Sequence, residues 1–287
     1  MLEPKIHMVL DRLSNGESDT LEIKDEWIEE ATENFRQALK KQFGRTSEPF
    51  RLRMSNLGKP TCQLQMEKMG KPKSRLPYNF IMRMLLGDAS ESLVLLLLKI
   101  SKANITSEKD KVEMSVLSTK IEGETDLDID GKVYDIKSAS PWSFSHKFSE
   151  GYEGLRDNDD FGYISQLIGY SNAQNKEVGG WIVLDKSSGC IKVIDAEIGA
   201  EEKKRVTEDI KQTVETVMSD APFKRMFEPE DEYFRKSLTG SKRLSTTCAF
   251  CPYLQSCYPN AQLLPQTGSK AQNPKHYWYT EYKGEVL

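Results

Sequence analysis

An Asp-Gly pair between two alternating segments constrains this chain more than any other feature. The stretch reads Glu124-Thr-Asp126-Leu-Asp128-Ile-Asp130-Gly131-Lys-Val-Tyr-Asp135-Ile-Lys137. A two-residue type I′ turn needs positive φ at both positions, and Asp-Gly accepts it, so the segment predicts a β-hairpin. Counting back from the turn sets the register. Ile129 faces Lys132, Asp128 faces Val133, Leu127 faces Tyr134, and Asp126 falls opposite Asp135. Side chains alternate along a strand, so Glu124, Asp126, Asp128, Asp135 and Lys137 share one face. Leu127, Ile129, Tyr134 and Ile136 share the other.

Like charges directly opposed across a hairpin are destabilising. A divalent cation is the usual remedy, because Mg²⁺ is typically held by one or two carboxylates together with waters and substrate phosphates. Lys137, two residues beyond Asp135, points the same way and can reach a phosphate or a water. On the hairpin alone, a solvated acidic face with a lysine for charge balance explains the pattern equally well.

With 287 residues, 38% hydrophobic and 29% charged, the chain can bury a sizeable core. Its longest apolar run, Leu93 to Leu98, is far short of the roughly 20 residues that a membrane span requires. The start, Met-Leu-Glu-Pro-Lys, has no signal-peptide apolar core, so a reducing, cytoplasmic setting without membrane partners is expected. A net charge of −4 does not announce a nucleic-acid binder. Basic residues are nonetheless bunched at Lys71, Lys73 and Arg75, at Lys203-Lys204-Arg205, and at Arg235-Lys236 followed by Lys242-Arg243. Such patches can serve phosphate backbones, although ordinary solvated surface is the simpler reading of any single one.

Periodicity predicts a polar, partly helical lead-in over 1–22, a helix over 24–43 and another from Pro77 through Ile100. Between them, 48–76 is a loop holding Cys62. Strands are expected near 112–120, 124–129 and 132–138, then a loop to Asp160, a helix over 161–175, strands at 181–185 and 190–194, and a helix over 197–220. The remainder reads as irregular. Three segments follow: 1–76, a core over 77–220, and a cysteine-bearing tail over 221–287 ending in the aromatics Tyr277, Trp278, Tyr279 and Tyr282. Those aromatics fit packing onto their own domain better than stacking on unpaired bases.

Five cysteines in a reducing compartment argue for metal binding or burial. Cys248, Cys251 and Cys257 form a C-x₂-C-x₅-C run, one thiolate short of a tetrahedral set. Cys62, in a turn-rich loop, is the expected fourth, whereas Cys190 in an apolar strand reads as core. Zinc sites usually pair two C-x₂-C knuckles, and only one is present here. One distant cysteine with three close together is commoner for a [4Fe–4S] cluster, with structural Zn²⁺ as the alternative and no metal as the third case.

An acidic residue on a helix, then Asp…Asp-x-Lys on a hairpin, then a helix carrying Gln-x₃-Tyr, resembles the RecB-like PD-(D/E)XK nucleases. The matching positions are Glu91, Asp126, Asp135-Ile136-Lys137 and Gln166…Tyr170. Cys62 with Cys248, Cys251 and Cys257 is similar to the iron–sulfur clasp of the AddB nuclease domain and of CRISPR-adaptation exonucleases, and Ser55-Asn-Leu57 fits the segment before the first cysteine there. The resemblance spans roughly residues 55–258. It implies an α/β fold with a restriction-endonuclease-like core, a mixed central sheet flanked by helices, and a clasp joining N- and C-terminal regions. It also implies a Mg²⁺- or Mn²⁺-dependent DNA exonuclease for single strands or free ends, serving replication, recombination or repair.

Under that resemblance Asp126 and Asp135 are direct metal ligands, Glu91 completes the site directly or through water, and the Ile136 carbonyl adds an oxygen. Lys137 positions the attacking water or stabilises developing charge, in a geometry that arginine does not reproduce. Gln166 and Tyr170, one helical turn apart, orient Lys137 and the strand. Asp128 stands further off. Many relatives carry a histidine ligand in the helix before the first acidic strand. Here His7, His146 and His276 all lie elsewhere, so Glu91 takes that position and His146 reads as a surface or substrate-side residue rather than a ligand. A structure-specific endonuclease of the same fold and a non-catalytic DNA-binding subunit are the alternatives. A helicase or recombination partner and ring-like oligomers follow by analogy with relatives only.

Overall fold

The computed structural model describes residues 1–46, 48–219 and 221–284. The helices are α1 (Glu3–Ser14), α2 (Asp25–Phe43), α3 (Thr61–Lys68), α4 (Phe80–Ile100), α5 (Pro141–His146), α6 (Gly151–Asp157), α7 (Tyr163–Gln174), α8 (Ala200–Met218), α9 (Thr246–Ala249) and α10 (Leu254–Cys257). The strands are β1 (Ile105–Glu108), β2 (Lys111–Val116), β3 (Thr119–Glu124), β4 (Leu127–Ile129), β5 (Lys132–Ala139), β6 (Glu177–Asp185), β7 (Ile191–Asp195), β8 (Glu230–Phe234), β9 (Ser237–Arg243), β10 (Gln262–Pro265) and β11 (His276–Glu281). Two compact units result, Met1–Gly58 with Tyr78–Val214, and Lys59–Pro77 with Glu215–Leu287. The division therefore differs from three consecutive segments: the first 58 residues belong with the sheet, and only 59–77 joins the C-terminal part.

The first unit is an α/β structure built on a mixed five-stranded sheet ordered β1-β4-β5-β6-β7. Only β5 and β6 run parallel, and the chain between them supplies α5, α6 and α7, as a parallel pair requires a crossover. Under one face, α4 and α1 bury Val94, Leu95, Leu98 and Ile6 against Leu127, Ile129, Ile136 and Ile182. This apolar stripe is the reason Phe80–Ile100 is helical, since its buried positions repeat at helical spacing. β5 alternates, so Ile136 enters that core while Lys137 reaches Gln166 of α7 on the other side.

The Asp130-Gly131 turn forms as expected, with φ of 51° and 75°. Leu127↔Tyr134, Asp128↔Val133 and Ile129↔Lys132 pair in the predicted register. The expected strand over 124–129 is instead divided. Thr119–Glu124 pairs with β2 in a separate two-stranded sheet, where Glu124 lies opposite Lys111. The break has a local cause: Thr125 N donates to Asp110 O at 2.9 Å and Lys109 N donates to Asp126 O at 3.2 Å, drawing this corner toward the β1–β2 turn.

The second unit holds α3, the short α9 and α10, and a four-stranded antiparallel sheet ordered β10-β11-β9-β8. A region read as irregular is thus a sheet, and Tyr277, Trp278 and Tyr279 are strand residues, with Tyr279 buried and Tyr282 just beyond the strand. Cys190, expected in the core, is exposed just before β7. No helix among the described residues is long and apolar enough to cross a membrane.

Candidate active site

β5 positions Asp135 and Lys137, and the end of the ladder positions Asp126. β4 begins at Leu127, so Asp126 does not oppose Asp135 as a cross-strand pair. Its Oδ2 accepts the Ile136 N–H at 2.7 Å, which brings its charge beside Asp135. Asp135 is 3% exposed. Its Oδ1 accepts from Lys137 Nζ at 2.8 Å, and its Oδ2 lies 2.6 Å from the same ammonium without an aligned hydrogen bond. Lys137 Nζ also donates to Gln166 Oε1 at 3.3 Å and stands 4.9 Å from the centre of the Tyr163 ring.

Burial, with the Asp126 charge adding to it, pushes the Asp135 carboxyl up to about 7 against the pull of Lys137. Burial pulls the Lys137 ammonium down, but Asp135 and Asp126 outweigh it and hold the group above the ordinary lysine range. Lys137 is therefore a fixed cation at neutral pH. Tyr170, buried behind Gln166, is raised to about 12 by burial, partly relieved by Gln166.

α7 is fixed at its start by Asp159, whose carboxylate accepts from Tyr163 N at 2.8 Å and Ile164 N at 2.9 Å. That cap sets the rotation of Gln166 and Tyr170. Tyr170 in turn requires Gly123 of β3, where a Cβ would lie 2.8 Å from the tyrosine ring. Asp126, Glu91, Gln166 and Tyr170 line one open cavity of about 1200 Å³. Glu91, at the α4 wall, is ion-paired with Lys109 of the β1–β2 turn. Asp128 is remote from this chemistry: it is wholly buried and bound to Lys176 Nζ at 2.5 Å.

In the second unit, Cys62, Cys248, Cys251 and Cys257 line a single cavity with apolar neighbours including Phe227 and Leu254. Burial raises Cys62 and Cys248, and pushes Cys251 up to about 11, with neighbouring thiols adding. Among the described residues, no three His, Cys, Asp or Glu side chains form a group able to hold a metal ion as they stand. The sequence reading missed Lys109, Asp159 and Tyr163. The sequence signals were an Asp four residues ahead of the first residue of a helix that starts without its own cap, and a lysine between two short strands.

No protein-family model matches the chain, and no curated protein matches it. A solved structure described as "Crystal structure of SSO0001" is similar, with a TM-score of 0.40 and 15% sequence identity over 77% of this chain and 91% of that chain. A likeness of that size leaves function to the site itself.

Proposed function

We propose that this chain is a Mg²⁺- or Mn²⁺-dependent DNA exonuclease acting on single strands or free ends, with a restriction-endonuclease-like core. The carrying observation is the buried Asp135, which has one donor for two oxygens and lies beside Asp126 and Lys137 on one side of a mixed sheet. A buried carboxylate oxygen without an aligned donor fits a cation-binding role. When bound, a divalent ion held by Asp126, Asp135 and the Ile136 carbonyl supplies Lewis-acid polarisation of the phosphoryl oxygen and acidifies a water.

Lys137 remains protonated, so it stabilises developing negative charge and orients the nucleophile rather than accepting its proton. Gln166 and Asp135 grip Nζ from two sides, and the capped α7 keeps Gln166 in place. Glu91 joins this set by exchanging its Lys109 partner. The four cysteines share one cavity, the residue type and number that a [4Fe–4S] cluster needs, with one structural zinc ion as the alternative. Such a cluster would tie residues 59–77 to the C-terminal part of the second unit.

End-labelled single-stranded DNA incubated with Mg²⁺, Mn²⁺ or EDTA tests the reading. Cleavage should require the metal and disappear in Lys137→Ala; undiminished cleavage by that variant would sink the assignment. Closed circular single-stranded DNA should survive, and its cutting would indicate an endonuclease. Anaerobically purified protein should be brown, whereas a colourless sample with stoichiometric zinc would reverse the cluster assignment.

A further inference from the structure

Charge in the second unit is distributed unlike that of the chain as a whole. Between residues 235 and 283 there are seven lysines and arginines against one carboxylate, Glu281, although the protein carries a net charge of −4. Elsewhere lysines and arginines commonly sit beside carboxylates, as Lys99 does with Glu30 and Glu108, and Lys120 with Glu113 and Glu122. In the basic stretch, Lys242 alone has a carboxylate within 4 Å among the described residues, Asp231 at 3.6 Å. Cations in such excess call for an external anion.

On the β8–β9 hairpin, Glu230 and Asp231 of β8 lie opposite Arg243 and Lys242 of β9, whereas Arg235 and Lys236 at the other end have no facing carboxylate. The hairpin tip is Arg235-Lys236, with φ of 49° and 69°. Both residues are exposed, and both occupy the left-handed region that a two-residue turn reserves for Asn, Asp or Gly. Each L-residue there is strained. A turn that keeps two strained, adjacent, exposed cations where Asn-Gly would be relaxed is an outlier from which a function can be argued. Tyr233 and Leu238 face each other just behind the tip, each 59% exposed. The ribbon therefore presents two cations at its end and an unburied aromatic ring beside them.

We infer that the β8–β9 hairpin binds the phosphate backbone of a single nucleic-acid strand through Arg235 and Lys236, with Tyr233 stacking on a base. The combination of fixed cations with an aromatic platform is how sequence-tolerant single-strand contacts are made. The inference rests on the reading of this protein as acting on DNA. It adds a binding element that neither the carboxylate site nor the cysteine cavity supplies.

The test is fluorescence anisotropy of a labelled single-stranded oligonucleotide in EDTA, so that binding is read without cleavage. The double substitution Arg235→Asn with Lys236→Gly relaxes the turn and keeps the hairpin. Its thermal midpoint should equal or exceed that of the wild type, while affinity should fall about tenfold and the slope of log affinity against log salt should fall by about 1.4, the value for two phosphates on a single strand. Tyr233→Ala should weaken binding with the salt slope unchanged. If the double variant binds with wild-type affinity and slope while the wild type still cleaves DNA, the hairpin assignment falls and the nuclease reading stands. If the wild type binds no oligonucleotide but binds anionic phospholipid vesicles through these two residues, the nucleic-acid partner is overturned.

Discussion

Two buried aspartates stand on neighbouring strands of one sheet, each with a lysine, and their surroundings differ in the respect that matters. Asp128 of β4 is closed. Lys176 holds its Oδ2 at 2.5 Å, and the Gln174 amide, with its nitrogen turned inward, reaches Oδ2 at 3.1 Å and Oδ1 at 3.2 Å. Asp135 of β5 is open: Lys137 serves both oxygens, one of them without hydrogen-bond alignment, and Asp126 adds a like charge nearby. Burial of a carboxylate does not by itself mark a functional site, since a satisfied group rigidifies a fold and an unsatisfied one awaits a partner.

Substitution should separate the two sharply. Asp135→Asn, which keeps an acceptor for Lys137 Nζ, is expected to lower cleavage by at least about 10³-fold, the scale of losing a main electrostatic element of a site, with only a small change in thermal midpoint. Single-turnover cleavage and calorimetry on the same preparation check both halves. Asp128→Ala should do the reverse. Removing one partner of a buried pair costs about 3–5 kcal/mol, and this case falls near the lower end because the Lys176 side chain is 34% exposed and can hydrate. Urea unfolding measures that loss, and the rate per folded molecule should stay at the wild-type value. Similar kinetic losses in both variants would dissolve the distinction.

The distinction was only half legible in the sequence. Alternation and the Asp-Gly turn placed Asp135 and Lys137 correctly, because turn chemistry and strand period are local properties. They also placed Asp128 on the same acidic face, and nothing local announced that Lys176 and Gln174, more than 40 residues later, would close over it. Asp126 leaves the expected ladder, because its backbone carbonyl bonds to Lys109 and only its side chain reaches the opposite strand, at Ile136 N. The C-terminal sheet went unread for the complementary reason. Its β8–β9 turn is Arg235-Lys236, which contains none of the residues that normally mark a two-residue turn. Cys62, expected as the fourth cysteine from its turn-rich loop, lines one cavity with the three C-terminal cysteines that spacing had grouped.

A smaller effect sharpens the open side of the comparison. Gln166 touches Lys137 but not the carboxylates, so Gln166→Ala should reduce turnover 10- to 100-fold, the scale of losing a supporting hydrogen bond, without altering the metal concentration needed for half-maximal rate. Gln166→Glu offers the control: it restores an acceptor at the same reach and should recover part of the rate. A metal requirement that shifts in Gln166→Ala would instead place the glutamine among the groups that hold the ion.

The smallest expected effect is a pH dependence confined to Asp135. Its folded pKa, about 7, lies above the ordinary carboxyl value of 3.8, so the folded protein binds this proton more readily than the unfolded chain does. The group's contribution to stability is then fully present in acid and is lost as pH rises through 7. Without metal, the stability of the wild type relative to Asp135→Ala should therefore increase between pH 8 and pH 6, by about 1.4 kcal/mol for one proton taken up near 7. Subtracting the variant removes the contributions of all other titrating groups. Mg²⁺ should act in the opposite sense, since it needs the ionised carboxylate and its stabilising effect should weaken over the same interval.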